Sequence, residues 1–466
     1  MSEMINQEKQ FNVARRQIAR ELAHLIAVRE AGFCLGDVQI SSSETSRPFV
    51  VRRSSIGLFE EAKECGPKTY MEKRLLVLCA AGRGESIVVS SDKEKSGESC
   101  DGYEFWDCFQ VEGWSVFPGR AAISDCDLAC EIATAYRSLI AANDSSTDQD
   151  LSDDFHNRAM FGFIHTFGIT PLRRLLTERE FLKLLDGIVE REVNPDGSLR
   201  NSVVTLGPED IEAYAPSEPD NEASTAGNPK IDNRSVDDCS SGIPSEKLHI
   251  EIQRIFAHEL GHWLAAKILG IRTSGVVIEW ERLGVEYYAF GHCTVFLGAV
   301  CATLGFEQYL ESRIAGIAAG SLADCEVRLP GKEAIGDELY KTLHRGGGTD
   351  DLEKLAELVV IHGATHLTYR HDSVPIGREV SEEQVLRTII GVLNRSKLLP
   401  IIRSAEYLSF VHEIIEQQQK EGSSDWRFER QIKIAISTDQ ISNSLESHQG
   451  LTALIQAERS KLVSLQ

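Results

Sequence analysis

Positive charge is scarce in this chain. Lysine and arginine number 49 among 466 residues, against 71 aspartates and glutamates, so the formal net charge at pH 7 is −22. Nucleic-acid binding depends on lysine and arginine side chains that neutralise phosphates, and anionic membrane surfaces attract the same residues. The deficit therefore argues against a nucleic-acid partner and against an anionic membrane surface.

The sequence also lacks an apolar run of the roughly 20 residues that a membrane-spanning helix needs. The nearest candidate, residues 295–306, is too short and fits a buried core segment better. The first residues contain no basic patch followed by an apolar run, so no signal peptide is predicted. We expect a cytoplasmic protein without a membrane span.

Paired cysteine motifs are missing as well. The 11 cysteines make an odd count and include no C-x-x-C pair. Cys126 and Cys130 would share one face of a helix, but no obvious second pair completes a zinc site with them. Reduced thiols in a reducing cytosol account for this pattern. Neither a disulfide framework nor a cysteine-rich metal site is predicted.

Two polar, acidic stretches, residues 143–155 and 194–244, interrupt a composition that is otherwise typical of globular proteins. Both have too little apolar surface to offset the entropy lost on ordering, so we predict linkers there. The length of the chain predicts two or three domains. The second linker is the clearest boundary between them.

The block that precedes the first linker, residues 1–142, is predicted to be a small α+β domain of unknown function. Helical patterns cover about 7–30 and about 120–142. Between them, β-type runs occur at 75–78 and 86–89.

The C-terminal half is predicted to be mainly α-helical with a small β-hairpin. A helical connector at 156–193 and the second linker lead into it. We place one domain at 245–420 and C-terminal helices at 421–466. The patterns behind this prediction are a helix from about Ser245 to Leu269 that stops at Gly270, hairpin strands at about 275–280 and 285–290, a helix at 306–326, and a helix from near Asp350.

The first of these helices contains the string His-Glu-Leu-Gly-His at residues 258–262. Histidines at positions i and i+4 lie one above the other on a helix, so both imidazoles can reach one ion. Zinc favours imidazole nitrogen, and a catalytic zinc site has three protein ligands and one position open for water. We predict His258 and His262 as zinc ligands, and Glu259 as the general base that takes the proton of that water.

The string alone also occurs by chance in a chain with 13 histidines. The alternative is a pair of core histidines that are satisfied by ordinary hydrogen bonds. However, the helix is predicted to be largely buried, because its neighbouring positions are apolar: Ile252, Ile255, Phe256, Leu260, Trp263 and Leu264. Burying two histidines and a glutamate costs free energy unless they are paired or bound to a metal, which favours a zinc site.

Three segments follow one another within residues 245–365. They read Ala-His-Glu-Leu-Gly-His-Trp-Leu-Ala-Ala at 257–266, Arg-Ile-Ala-Gly-Ile-Ala-Ala-Gly-Ser-Leu-Ala-Asp-Cys-Glu at 313–326, and Gly-Gly-Thr-Asp-Asp-Leu-Glu-Lys-Leu-Ala at 347–356. In this order they resemble the zinc helix, the Gly-Gly-Arg-x-Ala-Glu helix and the Gly-Ala-Ser-Asn-Asp-Leu-x-x-Ala-Thr segment of the FtsH-type ATP-dependent proteases. The resemblance implies that Asp351 is the third zinc ligand and that Asp350 occupies the family's asparagine position.

The chain departs from that family in three respects. No phosphate loop of the form G-x-x-x-x-G-K-[ST] is present, the membrane-spanning segments of the family are missing, and Asp324 stands where the family has a glutamate. The resemblance therefore implies the peptidase fold and its zinc chemistry, but not ATP-driven unfolding.

Other interpretations stay open. His-Glu-Leu-Gly-His is also typical of site-2 proteases, which are intramembrane enzymes, and of cytosolic regulator-cleaving metallopeptidases. In the latter case the third ligand would be another residue, such as Asp324, Glu326 or His344. The chain could also be a catalytically silent zinc-binding scaffold.

The sequence favours a zinc-dependent endopeptidase that hydrolyses proteins or peptides without ATP. Homo-oligomer formation and a separate unfoldase or adaptor stay open as partners.

Overall fold

The structure, a computed structural model, describes a set of ranges along the chain: 2–43, 49–53, 58–96, 104–109, 112–114, 121–143, 153–215, 245–283, 286–330, 335–344, 348–366, 381–421 and 431–463. Within these ranges the protein is mainly helical with small antiparallel sheets, as predicted. None of the described helices combines the length and the apolar character that a membrane crossing requires.

The chain folds into two compact units. Unit 1 comprises Met1–Leu139, Asn157–Asp232 and Val360–Glu382. Unit 2 comprises Ile140–His156, Asn233–Val359 and Glu383–Gln466.

The N-terminal part of the chain, most of which belongs to unit 1, alternates helices with short strands. These are α1 (Ser2–Ala31), β1 (Val38–Ser42), β2 (Phe49–Arg53), α2 (Leu58–Ser96), α3 (Glu104–Phe109), β3 (Glu112–Trp114), β4 (Ala121–Ser124), α4 (Asp125–Asn143), α5 (Asp153–Phe163), a π-helix (Ile164–Ile169), α6 (Thr170–Leu175), α7 (Glu178–Glu192), β5 (Val203–Leu206) and α8 (Pro208–Ile211). One antiparallel sheet has the order β2-β1-β5, and β3 pairs with β4.

The two β-type runs predicted at 75–78 and 86–89 are wrong. Both lie in α2, which packs against α1 and is interrupted only at Gly66, where φ is 76°. Leu75, Leu78 and Val88 are fully buried. A short apolar run fits a buried helix as well as a buried strand, because neither shows alternation, and packing on α1 selects the helix.

The second predicted linker contains regular structure in its first part. Residues 203–206 form β5, which pairs with β1, and Val204 and Leu206 point into the core of unit 1. The alternation of exposed and buried side chains over these four residues was hidden by the polar composition of the whole stretch. Residues 216–244 of this linker, and 144–152 of the first, lie outside the described residues.

The C-terminal part of the chain, most of which belongs to unit 2, carries a long hairpin among helices. Its elements are α9 (Ser245–Leu269), β6 (Arg272–Leu283), β7 (Glu286–Phe296), α10 (Gly298–Thr303), α11 (Phe306–Arg328), α12 (Ile335–Leu343), α13 (Gly348–His366), α14 (Glu382–Arg395), α15 (Leu398–Ile402), α16 (Ala405–Glu421), β8 (Gln431–Ser437), α17 (Thr438–Ser447) and α18 (Gln449–Val463). The predicted hairpin and the predicted bounds of α9 are confirmed, and Gly270 has the expected positive φ of 78°.

The prediction of C-terminal helices for 421–466 is wrong at residues 431–437, which form β8. Strand β8 pairs with β6 and completes a sheet with the order β7-β6-β8. Its pairing requires a glycine at Gly275, where φ is 117° and a Cβ would come within 2.1 Å of the carbonyl oxygen of Ile436. The signal was present in the alternating isoleucines at 432, 434 and 436.

Close packing of α9 on α11 sets the position of the His-Glu-Leu-Gly-His segment. Phe256, Leu260 and Trp263 bury the inner face of α9. A Cβ on Gly261 would come within 2.6 Å of the carbonyl oxygen of Ala319. The glycine of the motif is therefore required by the approach of α11 to α9.

Candidate metal centre

The two histidines of α9 direct their Nε2 atoms toward a common point. Nε2 of His258 lies 3.1 Å from Nε2 of His262, and the ring planes are nearly perpendicular. The side chains are only 14% and 15% exposed. The two imidazoles therefore share one face of α9 and approach a common point, as the spacing of four residues predicts.

Asp351, in the first turn of α13, completes the group. Its Oδ2 lies 3.2 Å from Nε2 of His258 and 3.5 Å from Nε2 of His262. The three ligand atoms lie within 4.8 Å of one another and could hold a metal ion. The structure thus brings together the three residues that the sequence and the family resemblance singled out as ligands.

Electrostatics at this group favour a positive charge between the carboxylate and the imidazoles. Burial lowers the pKa of His258, but the hydrogen bond and the charge of Asp351 outweigh it and raise the pKa from 6.5 to about 9. Burial would raise the pKa of Asp351, yet the charge of His262 and the hydrogen bonds of both histidines hold it well below its usual range. A bound cation would take the place of the proton.

Glu259 lies beside the group and under strand β7. Its side chain is 5% exposed, and a Cβ on Gly291 of β7 would come within 2.5 Å of Cγ of Glu259. Burial raises the pKa of Glu259, and the charges of the two histidines oppose this rise. Glycine at position 291 lets the strand run directly over the carboxylate.

A cleft of about 350 Å³ opens at these residues. Its walls include His258, Glu259, His262 and Asp351, together with residues 290–293 of β7. In the described sheet β7 is an edge strand, since its order is β7-β6-β8. The ligand group and Glu259 therefore share a cleft with residues of an edge strand.

Asp324, an alternative third ligand, is occupied elsewhere. Its oxygens accept from Nε of Arg254 at 2.8 Å and from Nη2 of Arg328 at 2.7 Å. Burial raises the pKa of Asp324, but the hydrogen bonds of both arginines outweigh it and lower the pKa. Asp324 thus pairs with Arg254 of α9, one helical turn before His258, rather than joining the histidines.

The other two alternative ligands also lie away from the group. Glu326 accepts from Nε of Arg403 at 2.8 Å, and His344 donates from Nδ1 to the carbonyl oxygen of Tyr340 at 2.6 Å. Asp350 is exposed at the cleft wall and does not belong to the ligand group. Among the described residues, Asp351 is the carboxylate that the structure places against both histidines.

Two further residues support this group, and the sequence predicted neither of them. Ser321 of α11 donates from Oγ to Oδ2 of Asp351 at 3.3 Å. Tyr407 of α16 is fully buried and donates from its hydroxyl to the carbonyl oxygen of Ala257 at 2.7 Å, next to His258. Neither position belongs to a local pattern that could have revealed its role.

Comparisons of this chain with protein-family models, with curated proteins and with solved structures found no match.

Proposed function

We propose that this protein is a zinc-dependent endopeptidase with the FtsH-like type of peptidase site. The observation that carries the proposal is the convergence of Nε2 of His258, Nε2 of His262 and Oδ2 of Asp351 beside the buried carboxylate of Glu259. Two imidazole nitrogens and one carboxylate oxygen form a ligand set typical of catalytic zinc sites.

The distances between the ligand atoms fit zinc. Tetrahedral ligands at about 2.0–2.1 Å from an ion lie about 3.3 Å from one another. The three observed separations are 3.1, 3.2 and 3.5 Å. The cleft leaves room beside these atoms for a fourth ligand, which is the requirement for a catalytic rather than a structural site.

Bound zinc would supply a Lewis acid that polarises a water molecule and the peptide carbonyl. We assign the role of general base to Glu259, whose buried carboxylate lies beside the ligand group. Its carboxylate accepts a proton from the water as the oxygen of the water bonds to the carbonyl carbon. It then delivers that proton to the amide nitrogen as the carbon–nitrogen bond breaks. Burial under β7 keeps the carboxylate beside the reacting atoms.

An extended polypeptide suits the cleft. Strand β7 pairs with β6 along one edge, none of the described strands pairs with its other edge, and its residues 290–293 line the cleft. Backbone groups at a strand edge can pair with an extended peptide whatever its side chains are. We therefore propose unstructured segments of proteins, or peptides, as substrates.

We also propose that this chain hydrolyses its substrates without a nucleotide, because no phosphate-loop motif occurs in the sequence. The test is hydrolysis of unfolded casein by the purified protein, with and without ATP, with zinc and with a chelator. Cleavage that depends on zinc and is indifferent to ATP is expected. A protein that binds zinc but cleaves no protein or peptide would favour the silent scaffold, and strict dependence on ATP would contradict the nucleotide-free mechanism.

A further inference from the structure

The oxygen of Asp351 that faces the two histidines also accepts a hydrogen bond from a serine. Oδ2 lies 3.2 and 3.5 Å from the Nε2 atoms of His258 and His262, and the same Oδ2 accepts from Oγ of Ser321 at 3.3 Å. Oδ2 therefore accepts a hydrogen bond from a hydroxyl of α11 while it faces both histidine nitrogens.

Burial makes this hydrogen bond specific. Ser321 is 0% exposed and Asp351 is 8% exposed. A carboxylate can turn about its bond to Cβ, and each turn changes which oxygen faces a ligand site. A buried hydroxyl that donates to one oxygen restricts this turn, because leaving the buried hydroxyl without a hydrogen-bond partner would cost free energy.

Helix α11 holds a second ligand in the same manner. The Nδ1–H of His262 donates to the carbonyl oxygen of Gly316 at 2.9 Å. Groups that orient metal ligands from the outside are commonly a carbonyl for histidine and a hydrogen-bond donor for a carboxylate. Gly316 supplies the carbonyl for His262, and Ser321 supplies the hydrogen-bond donor for Asp351.

We propose that Ser321 is a positioning residue of the metal centre, which holds Oδ2 of Asp351 toward the ion. The inference rests on the proposed function in one respect, since it takes Asp351 as a metal ligand. It concerns the affinity of the site for the ion and the coordination geometry, and it does not depend on which substrate is cleaved.

The experiment measures zinc affinity of the full chain by competition with a chromophoric chelator, together with the absorption spectrum of the cobalt(II) form. Ser321→Ala is compared with Ser312→Ala, which removes another buried serine hydroxyl from α11 away from the ligands. We expect Ser321→Ala to weaken zinc binding by about 10- to 100-fold and to alter the cobalt spectrum. We expect Ser312→Ala to leave both unchanged.

A double-mutant cycle separates positioning from general packing. In the Asp351→Ala background, Ser321→Ala should have little further effect on zinc affinity, because the oxygen that it orients is gone. An equal loss in both backgrounds, or wild-type affinity and spectrum in Ser321→Ala, overturns the role of Ser321 while leaving the proposed peptidase intact. Absence of zinc binding in the wild type overturns both proposals. Zinc binding without peptide cleavage overturns only the peptidase, because the affinity comparison still decides the role of Ser321.

Discussion

The Nδ1 atom of His262 lies 2.9 Å from the carbonyl oxygen of Gly316. A carbonyl oxygen can only accept, so Nδ1 carries the proton in neutral His262. The lone pair is then on Nε2, the atom that faces His258 and Asp351. A backbone group of α11 thus selects the tautomer that can bind a metal ion.

Gly320→Ala should damage the metal centre while Gly316→Ala should not. A Cβ at Gly320 would come within 2.3 Å of Nε2 of His262, whereas a Cβ at Gly316 meets nothing within 4 Å. The ring of His262 must move in the first variant, and we expect zinc affinity to fall about tenfold or more. Alanine at 316 should instead stabilise α11 by up to about 1 kcal/mol. Equal zinc affinity in the two variants, measured by chelator competition, would contradict the observed packing.

Asp351→Ala should weaken zinc binding and lower activity together, and Asp350→Ala should have much less effect. Asp351 is 8% exposed with Oδ2 against both histidines, whereas Asp350 is exposed. Metal content after dialysis and the rate of casein cleavage should fall together in the first variant. Loss of zinc in the second variant alone, or equally in both, would overturn the assignment of the third ligand.

Glu259→Gln should bind zinc normally and cleave substrate more slowly. Glutamine keeps the size of the side chain but cannot accept the proton, and losing positioned acid–base help costs about 10²- to 10⁴-fold in rate. Zinc content and single-turnover cleavage of a peptide are the measurements. Full activity in this variant would show that another residue is the base. Unchanged function in the cell, together with an inactive wild type, would instead favour the silent scaffold.

Unit 1 should lose stability on acidification through a buried ion pair. Glu21 is 0% exposed and accepts from Nε and Nη2 of Arg53, each at 2.7 Å. Burial raises the pKa of Glu21, but the charge of Arg53 and the hydrogen bonds of His24 and Arg53 outweigh it and lower the pKa from 4.5 to about 2. The stabilisation is therefore present above pH 4.5 and is lost as the pH falls through about 2.

Denaturant unfolding of wild type, Glu21→Gln and Glu8→Gln across this pH range tests the ion pair. At neutral pH Glu21→Gln should lose about 3–5 kcal/mol, because Arg53 is left buried without its charged partner. Its stability should also change less than that of the wild type between pH 4.5 and 2. Glu8, exposed on the same helix, provides the control. Parallel curves for wild type and Glu21→Gln would show that the pair does not cause the acid sensitivity.

Local patterns in the sequence determined much of unit 2 and one half of the candidate site. The apolar positions of α9 and the glycine after it predicted that helix to its observed bounds. Spacing of four residues is a property of the helix itself, so His258 and His262 had to share a face wherever the helix packed. The identity of Glu259 as their neighbour follows from the same local geometry.

Only the tertiary structure decided which distant groups meet these residues. Asp351 was named by resemblance to a family, but its contact with both histidines depends on how α13 packs, and so does its hydrogen bond to Ser321. The passage of Gly291 over Glu259 depends on the placement of the hairpin.

The two wrong predictions, strands within α2 and helices in place of β8, have the same physical origin. The apolar runs of α2 fit a strand or a helix until their packing partner, α1, is known. Strand β8 is stable because β6 supplies its hydrogen-bond partners from about 150 residues earlier in the chain. Periodicity along a chain specifies the face that an element buries, whereas the partner of that face is specified by packing between segments far apart in sequence.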